Sequence, residues 1–70
     1  MSDAPIVIHR ATGTGGRRVT IRGQVAGLAR SDSDVVEFLR RAGLPDAAEV
    51  MDAPRWTEWQ GGRPHEYGAT

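Results

Sequence analysis

The chain contains no cysteine and no lysine, few aromatic residues (two tryptophans, one tyrosine, one phenylalanine), and no long apolar run. Without cysteine there is no disulfide framework, and nearly all zinc-finger designs are excluded. All nine basic residues are arginine. With alanine and glycine also abundant, that bias fits codon usage in a high-G+C bacterial genome; a chemical demand for guanidinium groups is the sharper alternative. The opening MSDAPIVIHR carries an early acid and an apolar run of three, unlike a signal peptide. No stretch approaches the roughly 18 apolar residues that span a bilayer. These absences predict a soluble, cytoplasmic protein with no membrane partner.

What is present suits one small domain over residues 1–70, with frayed ends at about 1–4 and 68–70. Chains of this length bury a modest share of their surface, and a metal or a partner subunit often supplies the missing stability. A homodimer therefore stays open. The apolar share is 39%, enough for one core drawn from Ile6, Val7, Ile8, Val19, Ile21, Val25, Leu28, Val35, Phe38, Leu39, Leu44, Val50, Met51, Trp56 and Trp59. Net charge is zero but unevenly spread. Residues 1–30 set Asp3 against Arg10, Arg17, Arg18, Arg22 and Arg30, whereas residues 31–52 set six acids against Arg40 and Arg41. The surface is expected to be bipolar, which argues against a wholly basic nucleic-acid binder.

The segment Ile6–Arg10 is β-branched and begins after Pro5, which favours a strand. The glycine-rich stretch Ala11–Gly16 reads as a turn. Beyond it, Arg18-Val19-Thr20-Ile21-Arg22 alternates with period two, so Val19 and Ile21 face a core while Arg18, Thr20 and Arg22 face away. Together these make an antiparallel hairpin, with Gly23 marking a bulge or the strand end and Gln24 and Val25 available to continue it.

A helix is predicted from about Asp32 to Ala42. Ser31 to Asp34 supply cap candidates and first-turn carboxylates. Val35, Phe38, Leu39 and Ala42 share one face. Arg40 and Arg41 suit the negative end of the dipole, Gly43 suits the left-handed cap, Leu44 folds back, and Pro45 blocks continuation. Residues 46–52 form either one or two helical turns or an ordered connector. Arg55–Gln60 reads as a strand that puts Trp56 and Trp59 on opposite faces, one indole in the core and the other exposed or covered by the tail. His65–Tyr67 either adds a short strand or drapes. The predicted class is α+β: a β-hairpin packed on one helix, with a third, C-terminal strand, in β-β-α-β order.

Little of this resembles catalytic chemistry. The glycine turn is followed by a strand, whereas a phosphate loop needs a helix N-terminus there. His9 and His65 lack metal-ligand spacing, and Ser31 and Ser33 are better used as helix caps than as nucleophiles. No catalytic, cofactor-binding or metal-binding residue is expected.

Two candidate contact sets remain. Arg55, Trp56, Trp59, Arg63 and Tyr67 combine indole and guanidinium groups of the kind that anchor protein partners. Arg10, Arg17, Arg18, Thr20 and Arg22 would line the solvent face of a β-ribbon able to contact DNA or RNA. Over residues 18–22 the Arg/Thr alternation resembles the strand of ribbon–helix–helix repressors. It departs from them at Gly23–Arg30, where those proteins pass almost directly into the helix. The expected function is a non-catalytic accessory or regulatory protein acting through an unidentified protein partner, with nucleic-acid binding as the alternative.

Overall fold

The first two strands follow the β-branched runs at Ile6–Ile8 and Val19–Ile21. In the computed structural model, which describes residues 4–13 and 15–68, the elements are β1 (Ile6–Ile8), β2 (Arg17–Ile21), β3 (Gln24–Ala29), α1 (Asp32–Arg41), α2 (Ala47–Met51) and β4 (Thr57–Trp59). The class is α+β. The order is β-β-β-α-α-β, adding one strand and one short helix to the order expected from sequence. The anticipated fraying falls largely on residues outside those described, as does Thr14 of the glycine turn.

The four strands form one mixed sheet in the order β3-β2-β1-β4. Strands β1–β2 and β2–β3 pair antiparallel, and β1–β4 pair parallel. The helical segment therefore carries the chain from one edge of the sheet to the other. The strand expected over Ile6–Arg10 pairs only through Ile8, and that over Arg55–Gln60 only over Thr57–Trp59.

The second hairpin explains the extra strand. Arg22 and Gly23 both have positive φ, 52° and 83°, the requirement of the two-residue turn that matches strand twist. Gly23 is thus a turn residue: the strand ends before it, one of the two outcomes expected, and Gln24 and Val25 open a new strand instead of continuing β2.

Period two then sorts the sheet into two faces. Ile6, Ile8, Val19 and Ala29 are fully buried and meet Val35 and Leu39 of α1 and Ala47 and Met51 of α2. The alternate positions Val7, Arg18, Thr20 and Leu28 lie on the opposite face, which no helix among the described residues covers. Three expected core residues are instead exposed: Val25 (62%), Leu28 (43%) and Trp56 (40%). Val25 and Leu28 are exposed because they belong to that uncovered face. Trp56 lies in the turn before β4 and is the exposed indole of the pair, with Trp59 packed against the core.

α1 matches its local signals closely. Gly43 (φ 89°) donates its N–H to the Arg40 carbonyl at 2.9 Å, and the Leu44 N–H reaches the Leu39 carbonyl at 3.0 Å, the paired bonds of a Schellman ending. At the other end the Ser31 hydroxyl makes no capping bond; the Asp34 carboxylate accepts from the Arg30 N–H at 2.9 Å instead. A β-carbon at Gly27 would lie 2.7 Å from Phe38 Cζ, so α1 packs against β3 at a distance only glycine permits. No helix among the described residues is long and apolar enough to cross a membrane.

Candidate functional site

The two faces of β2 give neighbouring arginines opposite roles. Arg17 has the parity of Val19 and Ile21, and so points to the helix side, where it is 2% exposed. Its guanidinium donates to four backbone carbonyls: Nε to Glu66 (2.5 Å), Nη1 to Gln60 (2.7 Å) and His9 (3.3 Å), and Nη2 to Arg63 (2.9 Å). It also lies over the Trp59 ring, 5.5 Å from its centroid. A buried guanidinium is tolerable only where its nitrogens find partners, and here carbonyl oxygens take four of its five N–H groups and leave no nitrogen without one. The expectation that Arg17 lines the solvent face is therefore corrected: the side chain is a staple that binds segment 60–66 to the sheet.

A second polar cluster holds the same segment from the helix side. His65 Nδ1 lies 2.9 Å from both carboxylate oxygens of Asp32, and Nε2 lies 2.5 Å from Asp52 Oδ1. Carboxylates only accept, so the geometry calls for an imidazolium donating from both nitrogens. Hydrogen bonds to Asp32 and then to Asp52 accordingly raise the His65 pKa above its ordinary 6.5. The Tyr67 hydroxyl donates to Asp32 Oδ1 at 2.6 Å. Desolvation pushes Asp32 upward, but the bonds from Tyr67 and His65 outweigh it and hold the carboxyl below its ordinary 3.8. Burial first, and then the bond to Asp32, raise the Tyr67 phenol. Trp59 closes the cluster, with ring centroids 5.1 Å from His65 and 6.0 Å from Tyr67, and its Nε1–H donates to the Met51 carbonyl at 3.1 Å.

The expected tail site thus divides. Trp59 and Tyr67 are half-buried and engaged internally, while the side chains of Arg55, Trp56 and Arg63 are exposed. Among the described residues the tail drapes and adds no strand; its contacts include the Gly16 N–H to Tyr67 carbonyl bond at 2.6 Å. Sequence reading did not anticipate the cluster of Asp32, Asp52 and His65, whose members come together only through the fold.

The uncovered sheet face offers a different surface. Arg18 and Arg10 are exposed there, and His9 Nε2 shares a hydrogen bond with Thr20 Oγ1 at 2.7 Å. Together with Val25 and Leu28, the residues His9, Arg10 and Arg18 line a cleft of ≈ 440 Å³. Of the five residues expected on a nucleic-acid-facing ribbon, Arg10, Arg18 and Thr20 belong to this face. Arg22 sits in the β2–β3 turn and lines a separate groove of ≈ 340 Å³ beside Phe38, Arg41 and Leu44.

No protein-family model, curated protein or solved structure matches the chain.

Proposed function

We propose that the protein is a non-catalytic accessory or regulatory module of the bacterial cytoplasm that binds an acidic protein partner through the uncovered face of its sheet. The observation that carries this reading is the juxtaposition of exposed Val25 and Leu28 with Arg10 and Arg18 in one cleft. Apolar side chains supply the desolvated centre of an interface, and guanidinium groups at its border select carboxylates. The tail tryptophan Trp56, exposed on a different part of the surface, is a secondary contact in this reading.

Nucleic-acid binding by the same face is the second reading, favoured by the two arginines and by Thr20 beside them. It differs in its dependence on apolar contact and on salt. The test is affinity capture from the native extract with and without nuclease, at low and high salt, using wild-type, Leu28→Asp and Arg18→Glu baits. A protein partner that survives nuclease and is lost from both variants supports the proposal. Recovery of nucleic acid that disappears at high salt supports the second reading. A partner captured equally by all three baits overturns both assignments of the face.

A further inference from the structure

Strand β3 is an edge of the sheet, and it lacks most of what ordinarily protects an edge. It is the longest strand, and Gln24–Ala29 contains no charged residue and no proline. The opposite edge, β4, has three residues and carries Glu58. Exposed strand edges without charge, proline or cover pair with other chains. One protective feature is present: the register shift between Val19 and Thr20, which leaves Ala26 bulged. That bulge divides β3 into two regular segments, Gln24–Val25 and Leu28–Ala29, on either side of the small residues Ala26 and Gly27.

We infer that β3 is the seam of a homodimer, with its two-fold axis passing beside Ala26 and Gly27. A two-fold there lays Gln24–Val25 of one copy against Leu28–Ala29 of the other, so the two bulges meet at the centre where side chains are smallest. Val25 and Leu28 both lie on the uncovered face, paired with Thr20 and Arg18 of β2. Across the seam each therefore has the other's counterpart as its neighbour, an apolar cross-strand pair on each side of the axis. This pairing covers the seam side of Val25 and Leu28, the exposed large aliphatic side chains among the described residues, and leaves their outer surface in the cleft.

The helix beneath supplies the charge complementarity that makes a second copy the fitting occupant. The short connection Arg30–Ser31 turns the chain back, so that α1 runs against β3. Phe38 sits at the level of Gly27, and Arg41 lines the groove with Val25 and Ala26. Glu37 lies one turn before Arg41 and bonds to it at 2.6 Å, both side chains being largely exposed. Along α1 Glu37 precedes Phe38 and Arg41 follows it, so the level of the proposed axis falls between the two charges. The two-fold sets Glu37 of each copy toward Arg41 of the other. An interface with apolar partners and opposite charges exchanged across one axis is self-complementary, which is the condition for an isologous dimer.

The inference concerns the purified chain alone, so its failure and the failure of the partner reading are separable. Sedimentation equilibrium over a wide concentration range is the test. Wild type should show a monomer–dimer equilibrium. Leu28→Lys and Val25→Lys should each weaken association about tenfold or more with an unchanged far-UV spectrum, whereas Trp56→Ala should not. Glu37→Arg and Arg41→Glu should each self-associate poorly, yet an equimolar mixture of the two should recover dimer, because every cross-axis contact is then between opposite charges. A wild-type monomer at all concentrations overturns the inference. So does a Leu28→Lys dimer as tight as wild type, or a mixture no better associated than its components. If Leu28→Lys fails to fold, the charge-variant mixture decides.

Discussion

Replacing Arg17 with methionine removes the staple while keeping an unbranched chain of similar length in the core. Four carbonyls, those of His9, Gln60, Arg63 and Glu66, then lose a charged donor, and the Arg63 carbonyl keeps the Glu66 N–H at 3.3 Å. Hydrogen bonds from a charged donor are worth about 1.5–3 kcal/mol each, but this gross sum overstates the loss. Once freed, segment 60–66 swings into water and its carbonyls are solvated, and the desolvation cost of the guanidinium is no longer incurred. A net loss of about 3–4 kcal/mol is expected, a large part of the roughly 5–15 kcal/mol typical of a whole domain. The neighbouring Arg18→Met, on the exposed face, should change stability by no more than about 0.5 kcal/mol. Urea titration followed by tryptophan fluorescence measures both, since Trp59 lies beneath the Arg17 guanidinium. Hydrogen exchange at residues 60–67 reports the tail separately. Equal effects of the two substitutions, or a tail as protected in Arg17→Met as in wild type, would refute the assignment of Arg17 as the staple.

Three further outcomes follow from the same geometry. The His65 pKa is raised on folding, so the stabilisation from its imidazolium is complete below about its ordinary 6.5 and is lost as pH rises through the folded value. Asp32 is depressed, so its contribution is present above 3.8 and is lost as pH falls through its lowered value. Tail protection should therefore be greatest in mildly acidic solution and decline towards alkaline pH, and His65→Gln should flatten the alkaline limb of a stability–pH profile. Gly27→Ala should destabilise by about 2 kcal/mol or more in denaturant titrations, because the new methyl meets the Phe38 ring at a φ of 155°. Thr57→Val should cost about 1 kcal/mol by the same measurement, since the buried hydroxyl donates to the Val50 carbonyl at 2.8 Å and its loss leaves that oxygen with the Ala53 N–H alone.

The parts of the fold legible in the sequence are those written locally. α1 announces itself through acids at its start, arginines at its end, and the Gly43–Leu44 ending, all within one stretch of chain. β2 is equally plain because its alternation is unbroken. β3 is hidden for two reasons. Its turn begins at Arg22, and arginine carries no signal for positive φ. The bulge at Ala26 then breaks the period, so that Val25 and Leu28, three apart, share a face that strict alternation would deny them. Arg17 was legible in principle, since it has the parity of Val19. The general preference of arginine for water masked that parity, and only the four carbonyls that receive its guanidinium overrule the preference. The cluster at His65 had no local signal at all. Its partners Asp32 and Asp52 lie 33 and 13 residues away in the chain and meet it only after the tail crosses the helix side.

A chain of this size, with no disulfide and, among the described residues, no helix over one sheet face, needs cross-links of another kind. Here the helix side supplies them: one guanidinium gathers the tail carbonyls, and one imidazolium joins the start of α1 to the end of α2. Both the tail aromatic groups and the buried arginine are thereby committed to stability. This accounts for why a tail that reads as an interaction motif, with its tryptophans, arginines and tyrosine, leaves only Arg55, Trp56 and Arg63 exposed. The same arrangement frees the other face. Because the tail and helices stabilise the sheet from one side, Val25 and Leu28 need not be covered for the monomer to fold. Their exposure is then available for association, and the arginines beside them select the charge of what approaches. On this argument the tail substitutions His65→Gln and Tyr67→Phe should lower stability while leaving affinity for a partner intact in the folded fraction. Leu28→Asp should do the reverse, and titration calorimetry alongside thermal unfolding separates the two. Loss of affinity in the tail variants at full occupancy of the folded state would mean that tail and sheet face act as one surface.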